Sequence, residues 1–182
     1  MLIGLDDDLF PGRSDSTYLN AASVALMPRV AEEVVVEWQR DLARAGTLHF
    51  DEEAERTAFD ELRGVAARLF GAEPGQVAVA PSATELLASV AWAVMPPIGS
   101  NIVSTQGVFP TTIYPWARVA RYTGAELRLV EGHCDIEHGD VDHGGIVRHD
   151  ELVNSIDDQT VVVCISHVEY GTGQLFDLAR LA

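Results

Sequence analysis

Lysine is absent from this 182-residue sequence: all twelve basic residues other than histidine are arginines. No side chain of the chain can therefore act as an amine nucleophile toward a carbonyl compound. Cysteine is nearly absent as well, with Cys134 in a polar stretch and Cys164 inside an apolar one. That excludes a disulfide framework and a paired-cysteine metal motif, and leaves Cys164 as a core residue. Positive charge is scarce relative to negative. The net charge of −16 argues against a nucleic-acid or anionic-membrane surface, because both need clustered cations. No apolar run approaches the roughly 20 residues of a membrane span, and the acidic start Met1–Asp8 lacks the basic residues of a signal peptide. The cytoplasm is the expected compartment.

What is present suffices for a core, with 47% hydrophobic and 22% charged residues, ordinary for a globular protein. Residues 1–17 carry no periodicity and read as a lead-in with a turn at Pro11-Gly12. Pro28 suits the first position of a helix in which Val30, Val34, Trp38, Leu42 and Ala45 recur on one face before Gly46. A second helix is expected from Asp51 to Gly71, with Ala54, Ala58, Leu62, Val65 and Leu69 along one stripe. The division drawn on this reading is 1–50 for lead-in and helix, and 51–182 for the remainder.

From Val77 onward short apolar strands alternate with helices: strands at Val77–Ala80, Asn101–Thr105, Glu126–Val130 and Thr160–Ile165, helices at Ala83–Met95, Thr112–Tyr122 and His149–Ile156. This order implies an α/β fold, a mostly parallel sheet with flanking helices. Right-handed crossovers would bring the C-terminal ends of the strands to one edge, where such sheets bind ligands. Residues 82–85, 106–111 and 166–173 then share one site. In the first of these Ser82 and Glu85 have capping-box spacing, and the helix N-terminus they open could hold a phosphate; Ser82 could equally do no more than cap its helix. Residues 131–145 hold His133, Cys134, His138, His143 and several carboxylates. Transition-metal binding there is conceivable, but the spacing fits no tetrahedral motif, so a solvent-facing acidic loop is expected and no metal is assigned. Asp177 reads as the N-cap of a last helical turn, Leu178–Leu181.

Several of these stretches together resemble the class V aminotransferase family, the fold-type I pyridoxal-phosphate enzymes that include cysteine desulfurases, kynureninases and isopenicillin-N-epimerase-like proteins. The resemblance rests on Tyr18-Leu19-Asn20-Ala21-Ala22, Ser82-Ala83-Thr84-Glu85, Phe109-Pro110-Thr111 with Tyr114-Pro115-Trp116, and Ser166-His167-Val168-Glu169-Tyr170-Gly171-Thr172-Gly173-Gln174. Their order and spacing cover residues 18–182. The resemblance implies the N-terminal part of the fold-type I large domain, left incomplete before the strands that carry the family's aspartate and lysine. It also implies pyridoxal 5′-phosphate as cofactor.

On this resemblance Ala83 and Thr84 hold the cofactor phosphate, with Ser82 where many relatives have glycine or asparagine. Phe109 takes the place of the ring that stacks on the pyridine. Phenylalanine there is closer to kynureninase-like and epimerase-like members than to most desulfurases, which use histidine. His167 and Tyr170 complete the cofactor site, although residues alone allow His167 to be a core histidine, Phe109 a core aromatic, and Thr172 and Gly173 plain turn residues. Desulfurases often carry an asparagine near Tyr170, and Glu169-Tyr170 occupies that neighbourhood here. Without lysine the chain is not competent alone. It is expected to be a fragment or a split-enzyme subunit, completed by a complementary C-terminal half within a homo- or hetero-oligomer, and acting on an amino acid or amine. A non-catalytic scaffold or regulatory subunit that kept the fold is the alternative.

Overall fold

The computed structural model describes residues 8–13, 17–133 and 145–181. The loop considered above for metal binding falls mainly on residues 134–144, outside the described residues; His133, at its start, pairs with Glu151 through Nε2 at 2.6 Å. Among the described residues no helix is long and apolar enough to cross a membrane. The chain forms two compact units, Met1–Val65 and Ala66–Ala182.

In the first unit α1 (Arg29–Ala45) ends at Gly46, whose φ of 58° is the left-handed conformation that lets its N–H reach back to Leu42 O. The stretch expected as one helix from Asp51 is two: α2 (Glu52–Thr57), and α3 (Asp60–Phe70), which begins in this unit and ends in the next. Asp51 caps α2 by accepting the Ala54 N–H at 2.9 Å. At the break the Thr57 hydroxyl bonds the Glu53 carbonyl at 2.8 Å, a side-chain bond that competes with the helix ladder.

The second unit is a three-layer α/β arrangement. Its helices are α4 (Ala83–Val94), α5 (Pro110–Thr123) and α6 (His149–Asn154), and its strands β1 (Asn101–Thr105), β2 (Glu126–Val130) and β3 (Thr160–Val163). All pairing is parallel, in the order β2-β1-β3. The central strand is buried throughout, and its alternation builds both halves of the core. Ile102 packs with Ala91 of α4 and Ile113, Trp116, Val119 and Ala120 of α5, with Cys164 against them as expected. Val103, on the opposite face, packs with Val147, Leu152 of α6 and Phe176.

The expected fourth strand is not formed. Val77–Ala80 runs without a ladder partner among the described residues. Its apolar composition marks a half-buried segment, but a strand exists only when another backbone supplies its hydrogen bonds. The last turn matches its reading: Leu178–Arg180 is a single 3-10 turn whose Ala179 N–H is accepted by Asp177 at 3.1 Å.

Candidate functional site

Ser82 is extended, and its Oγ accepts the Glu85 N–H at 3.2 Å. The cap is one-sided, since no bond returns from the Glu85 side chain to the Ser82 N–H. The N–H groups of Ala83 and Thr84, the first two of α4, have no acceptor within the helix and carry the positive end of its dipole. Both residues are exposed.

The second helix N-terminus comes to the same place. Phe109 is the N-cap of α5 and Pro110 its first residue, where the missing proline N–H removes only a donor that would have had no partner. Thr111 and Thr84, each the second residue of its helix, meet hydroxyl to hydroxyl at 3.0 Å. Two positive helix ends and two hydroxyls therefore converge, which is the donor set an anionic oxygen requires.

The third contribution follows β3. The chain turns back on itself between Glu169 and Gln174, with Gly173 N–H to Glu169 O and Glu169 N–H to Gln174 O both at 2.8 Å. Gly173 takes a φ of +71° at this turn, a conformation strained for any other residue. The Gln174 side chain ties the turn to the neighbouring segment like a strand partner, accepting the Val147 N–H at 2.9 Å and donating to the Val147 carbonyl at 2.7 Å. So held, Tyr170 sets its ring edge-on to Phe109, centroids 5.1 Å apart and planes at 89°, a favoured aromatic geometry. Both rings remain half exposed, so Phe109 is not a core aromatic.

Ser82, Ala83 and Thr84 thus lie at one helix end, joined through Thr111 to Phe109 and through Phe109 to Tyr170. His167 is not brought into this chain of contacts. Its side chain is exposed rather than sunk in the core, and its backbone carbonyl accepts the Phe176 N–H at 3.0 Å.

Two residues that the sequence names only within longer motifs, with no role assigned to either, also lie at the site. One is Thr111, which only the approach of α5 to α4 reveals. The other is Glu169, a carboxyl 4% exposed. Its Oε1 accepts the Tyr170 N–H at 2.9 Å, while Oε2 has no hydrogen bond, and neither has the buried Thr105 Oγ1 at the end of β1. Burial pushes the Glu169 carboxyl above the ordinary range, against the opposing pull of the Tyr170 and Gly171 N–H groups and the Thr105 hydroxyl beside it. A glutamate between a valine and a tyrosine carries no signal of burial; tertiary packing alone creates it.

Residues 17–182 match the family model for Aminotransferase class-V. An uncharacterized aminotransferase, YcbU of Bacillus subtilis, is 28% identical over 174 residues, which cover 96% of this chain and 43% of that protein. A kynureninase of Debaryomyces hansenii is 24% identical, covering 98% of this chain and 41% of that protein. Among solved structures, that of a C-DES mutant with glycine covalently linked to its PLP cofactor superposes with a TM-score of 0.77 at 23% identity, over 97% of this chain and 44% of that one. The chain spans less than half the length of these relatives, and its fold is the N-terminal part of a fold-type I large domain. With the family model matched over nearly its whole length, this chain belongs to the class-V aminotransferase family.

Proposed function

We propose that this chain supplies the phosphate-binding and ring-stacking part of a pyridoxal 5′-phosphate site in an enzyme acting on an amino acid or amine. The observation that carries the reading is the meeting of two helix N-termini at the Thr84–Thr111 hydroxyl pair, 3.0 Å apart, next to an exposed aromatic slot. The residues fit the group: an anion at the α4 N-terminus satisfies donors that otherwise face only solvent, and a flat heteroaromatic ring matches Phe109. The bound cofactor would act as an electron sink at the substrate carbon.

In this reading the Ala83 and Thr84 N–H groups and the Thr84 hydroxyl hold the phosphate. Phe109 covers one ring face, excludes water from it and moves no proton. Tyr170 holds Phe109 from the side. The amine that binds the cofactor covalently lies outside these 182 residues, because they contain no lysine. It belongs either to further sequence of the same polypeptide or to a complementary C-terminal subunit. Phe109 in place of histidine favours the kynureninase-like and epimerase-like branches of the family over the typical desulfurases.

Equilibrium dialysis with pyridoxal 5′-phosphate tests the first half, and mixing with a lysine-bearing C-terminal segment tests the second. The chain alone is expected to bind the cofactor and to lose about tenfold in affinity as Thr84→Val. Only the mixture is expected to develop a visible absorbance band that borohydride abolishes. A chain that binds neither the cofactor nor inorganic phosphate would leave the helix ends as mere caps and make the protein a scaffold.

A further inference from the structure

Carboxylates outnumber arginines in this chain by 28 to 12, so acidic partners are plentiful. Arg56, Arg63, Arg128 and Arg180 each pair with one, and Arg40 and Arg44 share a hollow with Glu32, Glu33, Glu37 and Asp41. Arg118 and Arg121 of α5 differ: among the described residues neither side chain has an ion pair or a hydrogen bond. Spaced as i and i+3, they sit on one face of the helix. With Trp92 of α4 and Tyr122 of α5 they line a hollow of about 400 Å³ that has no carboxylate in its wall. The two rings meet edge to face, centroids 5.5 Å apart and planes at 62°, yet Trp92 is 41% and Tyr122 71% exposed. Apolar surface continues into the exposed Ile98, whose side chain lies against Gly124 just past Tyr122.

Tryptophan, tyrosine and arginine are the residue types enriched at the centres of protein–protein contacts. A basic residue in the last turn of a helix can serve the helix dipole alone, and Arg121 is so placed, but that role leaves Trp92 and Tyr122 facing water. We propose that this end of α4 and α5 is a docking surface for an acidic segment of a partner protein, which sets an aromatic or aliphatic side chain on Trp92 and Tyr122 and carboxylates on Arg118 and Arg121. Charge complementarity selects that occupant, because guanidinium groups take carboxylates through paired N–H donors. In a chain of net charge −16 the patch is too small to offset the phosphates of a nucleic acid or an anionic membrane. A second copy docking through the same patch would face arginines with arginines. The surface is separate from the proposed cofactor site. The N-terminal ends of α4 and α5 meet at Thr84 and Thr111; the C-terminal ends meet at Trp92 and Tyr122, about 16 Å farther along the α5 axis.

The test titrates the whole 182-residue chain with a short peptide of glutamates around one tryptophan, and with the same peptide carrying glutamine or lysine in place of glutamate. Calorimetry reads affinity, and the NMR signal of the Trp92 side-chain N–H, assigned with Trp92→Phe, reads location. The glutamate peptide is expected to shift that signal and to bind about tenfold more tightly than the glutamine peptide, with the lysine peptide weaker still. Arg118→Glu combined with Arg121→Glu is expected to weaken the glutamate peptide at least about tenfold and to reverse the preference toward lysine; Trp92→Ala is expected to weaken it about tenfold. All three positions are exposed, and an unchanged urea midpoint checks that the variants fold. Equal affinity for the glutamate and glutamine peptides, or an unchanged affinity in the arginine double variant, would overturn the inference. Tighter binding of single-stranded DNA or phosphatidylserine vesicles would also overturn it, as a general anion surface. Dimerisation in sedimentation that Trp92→Ala abolishes would give the surface to a second copy and overturn it too.

Discussion

At the N-terminal ends of the three strands the polar groups satisfy one another. Asn101 donates to Asp157 at 2.8 Å and accepts from Thr160 at 2.7 Å, and Arg128 reaches Asp157 at 2.6 Å and the Ser155 carbonyl at 3.1 Å. At the C-terminal ends of the same strands Thr105 Oγ1 and Glu169 Oε2 are buried without a hydrogen bond, and the first N–H groups of α4 have no acceptor in their helix. A parallel sheet has two such edges, built by the same alternation of strands and helices. The edge whose hydrogen bonds close internally is devoted to stability; the one left open has donors and acceptors to offer a ligand, which is where sheets of this kind bind them.

The sharpest way to break this contrast is to delete the hub of the closed edge. Asn101→Ala leaves Thr160 and Asp157 without their buried partner and is expected to cost about 2–3 kcal/mol in urea unfolding. A loss near zero would mean that the edge is not the stabilising one. On the open edge Ser82→Ala removes a helix cap at about 1 kcal/mol, and it is expected to weaken phosphate binding as well.

The two edges are also expected to respond to pH with opposite sign. The Arg128 guanidinium, with help from Asn101 and the Gln159 N–H, holds the Asp157 carboxyl down at about 2 from 3.8. The stability it contributes is therefore complete above the unfolded value and is lost as pH falls from about 4 through about 2. Glu169 is shifted up by burial from an ordinary 4.5. Its contribution is complete below 4.5 and is lost as pH rises through the folded value. Unfolding midpoints measured against pH check both: Asp157→Asn flattens the acid limb and Glu169→Gln the other.

The smallest effect sharpens the comparison most. Thr105→Val removes a hydroxyl that has no hydrogen bond of its own, so unfolding free energy is expected to change by less than about 0.5 kcal/mol. An ordinary buried threonine bonded inside the chain would lose more than 1 kcal/mol.

Much of the second unit was legible in the sequence because its signals are local. Strand β1 is a β-branched run between Gly99-Ser100 and Gln106-Gly107, β2 alternates charged and apolar residues between Gly124 and Gly132, and α4 begins after the serine that caps it. The class of fold followed from the alternation alone. Val77–Ala80 shows the limit: an apolar run specifies burial, but pairing needs a second backbone, and no other described segment pairs with it in a ladder. The α2–α3 break shows another, since one stripe of apolar residues continues across it while the hydrogen-bond ladder does not.

For the site the line falls between residues and their neighbours. Sequence alone supplied the cap at Ser82, the free N–H groups of Ala83 and Thr84, the family resemblance and the absence of lysine, because each depends on residue identity and short spacing. Tertiary structure decided that Thr111 meets Thr84, that Tyr170 stands edge-on to Phe109, that His167 faces outward, and that Glu169 is buried beside Thr105. Those pairs lie on separate elements or across a turn, and only the packing of helices and loops on the central strand brings their atoms within bonding distance or shuts water away from them.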